Sequence, residues 1–255
     1  PYSIPRLGDE ETVDKLQALR LYDQYRDLIT TAPLEIIYSG SAELDRVRQA
    51  LAAAFATLPR EEVRTIADAV PHVCRESVQT VEDEMEVTQG KLSMGFSCGS
   101  DDMPALLLGN TLFGGSSNSK LFLNVREKLS LCYYASSMYH RQKGIITVSS
   151  GIEFQNYQRA YDEILSQLAA VQNGELEEWE LAGARSTLLN SYATVGDSQG
   201  KLENFYLGQA ATGRSETPAD LAQAVMEVSA ERICRAMSTV KLDTVYFLKG
   251  KEAQA

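Results

Sequence analysis

Phe113-Gly-Gly-Ser-Ser-Asn-Ser-Lys-Leu-Phe-Leu-Asn-Val-Arg-Glu-Lys-Leu-Ser-Leu-Cys-Tyr-Tyr134 joins a glycine turn, an amphipathic helix and the start of a strand. Upstream, Pro104 and the apolar run 105–113 predict a helix that Gly114 and Gly115 bring to an end. Ser117 or Asn118 can then cap a helix over 119–130. Strands at 131–139 and 145–152, on either side of a polar turn at 141–144, read as a hairpin.

Working outward, Leu92, Met94 and Phe96 alternate with Lys91, Ser93 and Gly95, as in a strand with one face on a core. Tyr157, Tyr161, Ile164, Leu168 and Val171 mark a long helix. Gly174 separates it from a second helix over 175–195, and helices at 198–212 and 217–237 lead to a closing strand at 243–249. The sheet these strands build is largely antiparallel.

The first third reads differently. Val13, Ala18, Leu21, Tyr22, Tyr25, Leu28 and Ile29 fall on one helical face across 10–30. The run 34–38 reads as a buried strand stopped by Ser39-Gly40, after which Ser41 caps a helix carrying Leu44, Val47, Leu51, Phe55 and Leu58. Periodicity fades between 60 and 84, where Pro71 and the cluster Glu82-Asp83-Glu84 suggest a solvated connection. Helix 16–29 with strand 34–38 parallels helix 228–237 with strand 243–249. The expected organisation is therefore the C-terminal part of an upstream half-domain over 1–66, a linker over 67–82 and a complete domain over 83–255.

Composition narrows the functional classes. A net charge of −11 over 255 residues argues against nucleic acid as a partner, since phosphate binding requires concentrated Lys and Arg. No apolar run approaches the roughly 18–20 residues of a membrane span. Cys74, Cys98, Cys132 and Cys234 are widely spaced and include no Cys-x-x-Cys, which suggests reduced thiols and a cytoplasmic setting. The chain opens at Pro1 without a leader, so a longer parent protein is the expectation.

The opening segment resembles one in the second half of the insulinase, pitrilysin and mitochondrial processing peptidase family. There a Phe-Gly-Gly turn precedes Ser-x-Leu-Phe, Val-Arg-Glu-Lys and Leu-x-Tyr, and this chain has Ser119-Lys-Leu-Phe, Val125-Arg-Glu-Lys and Leu131-Cys-Tyr. Pro1-Tyr-Ser-Ile-Pro-Arg-Leu-Gly, Ile36-Ile-Tyr-Ser-Gly, Val228-Ser-Ala-Glu-Arg-Ile and Val245-Tyr-Phe-Leu-Lys-Gly extend the likeness along the chain. The resemblance implies an α+β fold, a mainly antiparallel sheet packed against helices, two such domains forming one half of a hollow chamber.

It also implies roles. In that family an Arg and a Tyr seven residues apart reach from the zinc-less half toward a peptide held at the metal, and Arg126 and Tyr133 match that spacing. A guanidinium and a phenol can both donate hydrogen bonds to a carbonyl oxygen gaining negative charge. The plainer reading pairs Arg126 with Glu127 or Glu203 and packs Tyr133 in a strand. Cys132 stands where the family has Gly just before the Tyr. The family's zinc site is His-x-x-Glu-His with a downstream Glu, and no such motif exists here: His72 and His140 are the two histidines, and His72-Val-Cys-Arg-Glu lacks the spacing.

Stretches that superficially suggest other chemistry do not carry it. The run 114–120 lacks the Gly-Lys-Ser/Thr of a phosphate loop and follows a helix instead of a strand. The acidic runs 82–86 and 175–180 read as solvated faces. A small-molecule enzyme finds no cofactor fingerprint. The sequence thus points to the substrate-binding half of a zinc metallopeptidase, with no complete catalytic centre and no cofactor of its own, zinc being expected only in the partner half. The implied partners are a peptide substrate and a zinc-binding half-domain, in the same parent chain or in a partner subunit as a homo- or heterodimer, without nucleic acid or membrane. The alternative is a non-enzymatic partner or assembly subunit of a metallopeptidase-like complex.

Overall fold

Leu92, Met94 and Phe96 are buried while Lys91, Ser93 and Gly95 between them are not, so β2 (Gly90–Cys98) lays one face on the core as its alternation predicts. The computed structural model describes residues 7–64 and 74–251. The chain divides into two units, Pro1–Asp68 and Ala69–Ala255.

In the second unit, β2 is the centre of a five-stranded sheet with β1 (Gln79–Met85), β3 (Cys132–His140), β4 (Ile145–Ile152) and β5 (Val240–Gly250), in the order β1-β5-β2-β4-β3. β2 pairs antiparallel with β4 and β5, and β3 with β4, whereas β1 runs parallel to β5. The sheet is mainly antiparallel, and the hairpin of β3 and β4 is present.

Helices supply the other side of the core. Ile146, Val148 and Ile152 of β4 join Leu106, Leu108 and Phe113 from one helix, Met103–Phe113, and Ile164 and Val171 from another, Tyr157–Gln172. Ile233 and Met237 come from a third, Ala230–Met237. Phe96 meets Phe113 edge-on, their ring centroids 6.3 Å apart, a favoured aromatic geometry. Burying such a side chain stabilises by about 1.5–3 kcal/mol. The helix Met103–Phe113 starts where Asp102 accepts a hydrogen bond from the Ala105 N–H with Pro104 in the first turn, and it stops at Gly114.

The structure departs from the sequence reading in several places. The expected helix over 119–130 is a π-helix, Leu121–Lys128, in which the Leu129 N–H reaches back five residues to the Asn124 carbonyl at 3.1 Å. The expected helix over 217–237 is two, Pro218–Met226 and Ala230–Met237, because Ser229 adopts an extended conformation and caps the second. β1 occupies part of the region read as a solvated connection. Its acidic residues are compatible with a strand because it is an exposed edge, where charge is tolerated. Lys249 of β5 bonds Glu82 at 3.0 Å, and the Tyr246 hydroxyl bonds Asp83 at 3.0 Å.

In the first unit the expected helix over 10–30 is two helices, Glu10–Asp14 and Ala18–Thr31, divided where Gln17 is extended. A third helix, Leu44–Phe55, begins from Glu43 and not from Ser41. Residues 34–38 form no strand, and Leu34, Ile36 and Tyr38 are exposed. No described strand lies alongside to accept their backbone hydrogen bonds, and a strand without a ladder is not stable. The helix-plus-strand parallel with the chain's end therefore holds for the helix alone. The segment Pro1-Tyr-Ser-Ile-Pro-Arg, Pro71 and His72 lie outside the described residues.

Candidate functional site

The glycine turn is locked from both sides. The N–H groups of Gly114 and Gly115 both donate to the Asn110 carbonyl at 2.9 Å, and the Gly114 carbonyl accepts from the Ser137 N–H of β3 at 2.8 Å. A Cβ on Gly114 would stand 2.7 Å from that same Ser137 nitrogen and from Leu121, so the close approach of turn to strand requires glycine there. Ser137 adds a hydrogen bond from its Oγ to Asn110 Oδ1 at 2.8 Å.

The π-helix that follows is pinned at two points. Lys120, at its entrance, places its ammonium 3.0 Å from both carboxylate oxygens of Glu180, with both residues buried. Glu180 belongs to the helix Glu178–Ala193, where its carboxylate also accepts from the Glu177 N–H at 2.9 Å. Glu175, Glu177 and Glu178 are exposed, as the reading of 175–180 as a solvated face expects, and Glu180 departs from it: it is inside because Lys120 neutralises it. Further along, Asn124 donates to Gln167 at 2.8 Å.

These anchors set Arg126. Its guanidinium lies over the Phe122 ring, 4.6 Å from the centroid, a favourable cation–π distance. Its Nε is 3.5 Å from Glu127, and both side chains are substantially exposed. Of the two acids considered from the sequence, Glu127 is thus the partner, in a geometry worth little in water.

Arg126 and Phe122 border a cavity of 610 Å³. The turn 114–117 lines a second side, and one face of the β3–β4 hairpin, with Tyr134, Ser136, Thr147 and Ser149, lines a third. His140 joins them, its Nε2 3.0 Å from Thr147 Oγ1. Partial burial and then the nearby Lys143 charge lower the His140 pKa, which favours the neutral ring at pH 7. Gly114, Gly115 and Arg126 are therefore brought together.

Tyr133 is placed differently. The pairing of β3 with β4 shifts between Cys132 and Tyr134, which leaves Tyr133 at an irregularity, 61% exposed and outside the cavity lining. Tyr134, not singled out from the sequence, faces the cavity instead. A bulge re-aims the side chains beside it, so simple alternation along β3 does not reveal which of the two tyrosines turns inward. Cys132 is half-buried, and burial raises its thiol pKa, against the nearby charge of Arg126. It is therefore held as a thiol, close enough to Arg126 to feel it. The hydroxyls of Ser136 and Ser149 and the imidazole of His140 carry no sequence motif, and the hairpin register is the signal that collects them on one face.

Among the described residues no three His, Cys, Asp or Glu side chains come together as metal ligands.

Comparison with known proteins gives a consistent picture. The profile of the family described as "Peptidase M16 inactive domain" matches residues 15–188. A Bacillus subtilis protein named "Probable inactive metalloprotease YmfF" is 36% identical over 258 residues, covering 99% of this chain and 60% of that protein. A conserved Enterococcus faecalis protein of known structure superposes with a TM-score of 0.86 at 26% identity, covering 99% of this chain and 60% of its own. The structure titled as the peptidase M16 inactive domain from Pseudomonas fluorescens does so at 0.75 and 16% identity, covering 97% and 61%. This chain spans about 60% of the length of these relatives.

Proposed function

The chain belongs to the peptidase M16 inactive-domain family, and from that premise we propose that it is the substrate-binding half of a metallopeptidase-like protein, with Arg126 and Tyr133 contacting an extended peptide. The observation that carries this reading is Arg126: a guanidinium stacked on Phe122 at the border of an open cavity, on a helix whose entrance is anchored by a buried ion pair. Tyr133 is exposed on the adjoining strand, where its hydroxyl is open to a ligand. Both groups can donate to a peptide carbonyl. The metal belongs to a companion half, in the same parent chain or in another subunit.

The first unit supports the need for a companion. Leu21, Tyr22, Tyr25 and Leu28 on the helix Ala18–Thr31 are each more than half exposed, and Thr31 is the one buried residue among the described residues of that unit. A unit with no core of its own requires an apolar layer from elsewhere. In our reading, residues 1–66 complete a half-domain whose remainder lies in that companion, and 83–255 form a whole domain.

The test is peptide hydrolysis by the chain combined with its zinc-bearing half. Arg126→Ala lowers turnover about a hundredfold or more if the guanidinium stabilises the developing oxyanion. Unchanged turnover in a complex that still assembles would exclude that role. A second reading, binding or assembly without hydrolysis, is favoured by the name of the B. subtilis relative as a probable inactive metalloprotease. It predicts that the parent protein binds peptide and never cleaves it.

A further inference from the structure

The cavity beside Arg126 has a charge asymmetry that peptide contact alone does not require. The chain carries a net charge of −11, yet among the described residues lining this cavity there is no Asp or Glu, and Arg126 is the one formal charge. The rest of its polar lining includes the hydroxyls of Ser136 and Ser149, which can donate hydrogen bonds to an anion, and the His140–Thr147 pair, which is held by its own hydrogen bond at 3.0 Å. The pair with Glu127 is made through Nε at 3.5 Å and is exposed, and a guanidinium carries five N–H donors. Donors thus remain for a ligand oxygen as well as for a peptide carbonyl. Stacking on Phe122 restrains the guanidinium before any ligand arrives, which reduces the ordering cost of binding.

We infer that this cavity is a subsite for a carboxylate carried by an extended peptide, either an Asp or Glu side chain or a free C-terminus. The inference rests on the peptide-contact reading and deepens it: Arg126 determines which peptides bind as well as helping to hold them. Planar pairing of guanidinium with carboxylate supplies two parallel charge-assisted hydrogen bonds. At 610 Å³, the cavity falls in the usual range of about 300–1,000 Å³ for ligand pockets. A net charge of −11 gives a peptide carboxylate no general attraction to this protein, so the cavity also sets the register of an acidic peptide.

The experiment measures binding of fluorescently labelled peptides of one length to this chain by anisotropy. The first peptide has an internal Asp and an amidated C-terminus, the second has Asn in its place and an amidated C-terminus, and the third has Asn and a free C-terminal carboxylate. At least one carboxylate peptide is expected to bind about three- to tenfold more tightly than the neutral one, the range for a charge-assisted contact at a partly exposed site. Which of the two does so identifies the source of the carboxylate. Arg126→Gln brings the ratio close to one, and Arg126→Lys restores part of it. Equal affinity for all three peptides, or a preference that survives in Arg126→Gln, would overturn the inference while leaving peptide contact standing. No binding of any peptide would overturn both.

Discussion

The ammonium of Lys120 sits 3.0 Å from both carboxylate oxygens of Glu180, and the two side chains are almost wholly buried. The pair ties the entrance of the π-helix to the helix Glu178–Ala193, which also closes its own first turn through Glu180. An isolated charge left at such a site costs far more than the intact pair contributes. Lys120→Met or Glu180→Gln alone should therefore destabilise the chain by about 3–5 kcal/mol. The double change to Met and Leu should recover much of that loss. Urea unfolding monitored by circular dichroism distinguishes the cases, and two mild single variants would refute the assignment.

Gly114→Ala should destabilise by about 1–3 kcal/mol, since the added methyl drives into Ser137 and Leu121 and forces the turn from β3. At Gly208, in the helix Gln199–Ala211, an added Cβ would meet nothing within 4 Å. Gly208→Ala should be neutral or stabilising by up to about 1 kcal/mol from helix propensity. Thermal melting of both variants, side by side, reads the opposite signs directly.

The acid limb of stability should carry a contribution from Asp102. Burial alone would raise its pKa, but Arg232 donates to it at 2.6 and 3.0 Å and the Ala105 N–H adds a third bond, so the net shift is downward. A depressed carboxyl contributes stability that is fully present above its unfolded value of about 3.9 and is lost as pH falls through the folded one. Asp102→Asn should flatten the fall in urea midpoint below about pH 4 and lower the midpoint at pH 7. A variant whose acid limb matches the parent's would remove Asp102 from the account.

The parts of this fold that were legible in the sequence are those where a local pattern and its packing coincide. Ile145–Ile152 alternates because one face is core, and Met103–Phe113 starts and stops at residues whose backbone preferences are strong. Gln79–Met85 was hidden because its partners Lys249 and Tyr246 lie at the far end of the chain, and its own acidic composition argues for solvent. The π-winding of Leu121–Lys128 has no signature of its own in the apolar spacing. At the site, the family-like motif located Arg126 and the glycine turn. Tyr134, His140 and Ser149 became visible only with the β3–β4 register, whose shift after Cys132 no alternation rule supplies.

The central claim, that Arg126 and Tyr133 hold an extended peptide, is tested most directly by the affinity of this chain for a neutral, amidated, labelled peptide. Arg126→Ala should weaken binding about tenfold and Tyr133→Phe about threefold, as expected for losing a charged and a neutral hydrogen-bond donor. Affinities for both variants indistinguishable from the parent's would contradict it.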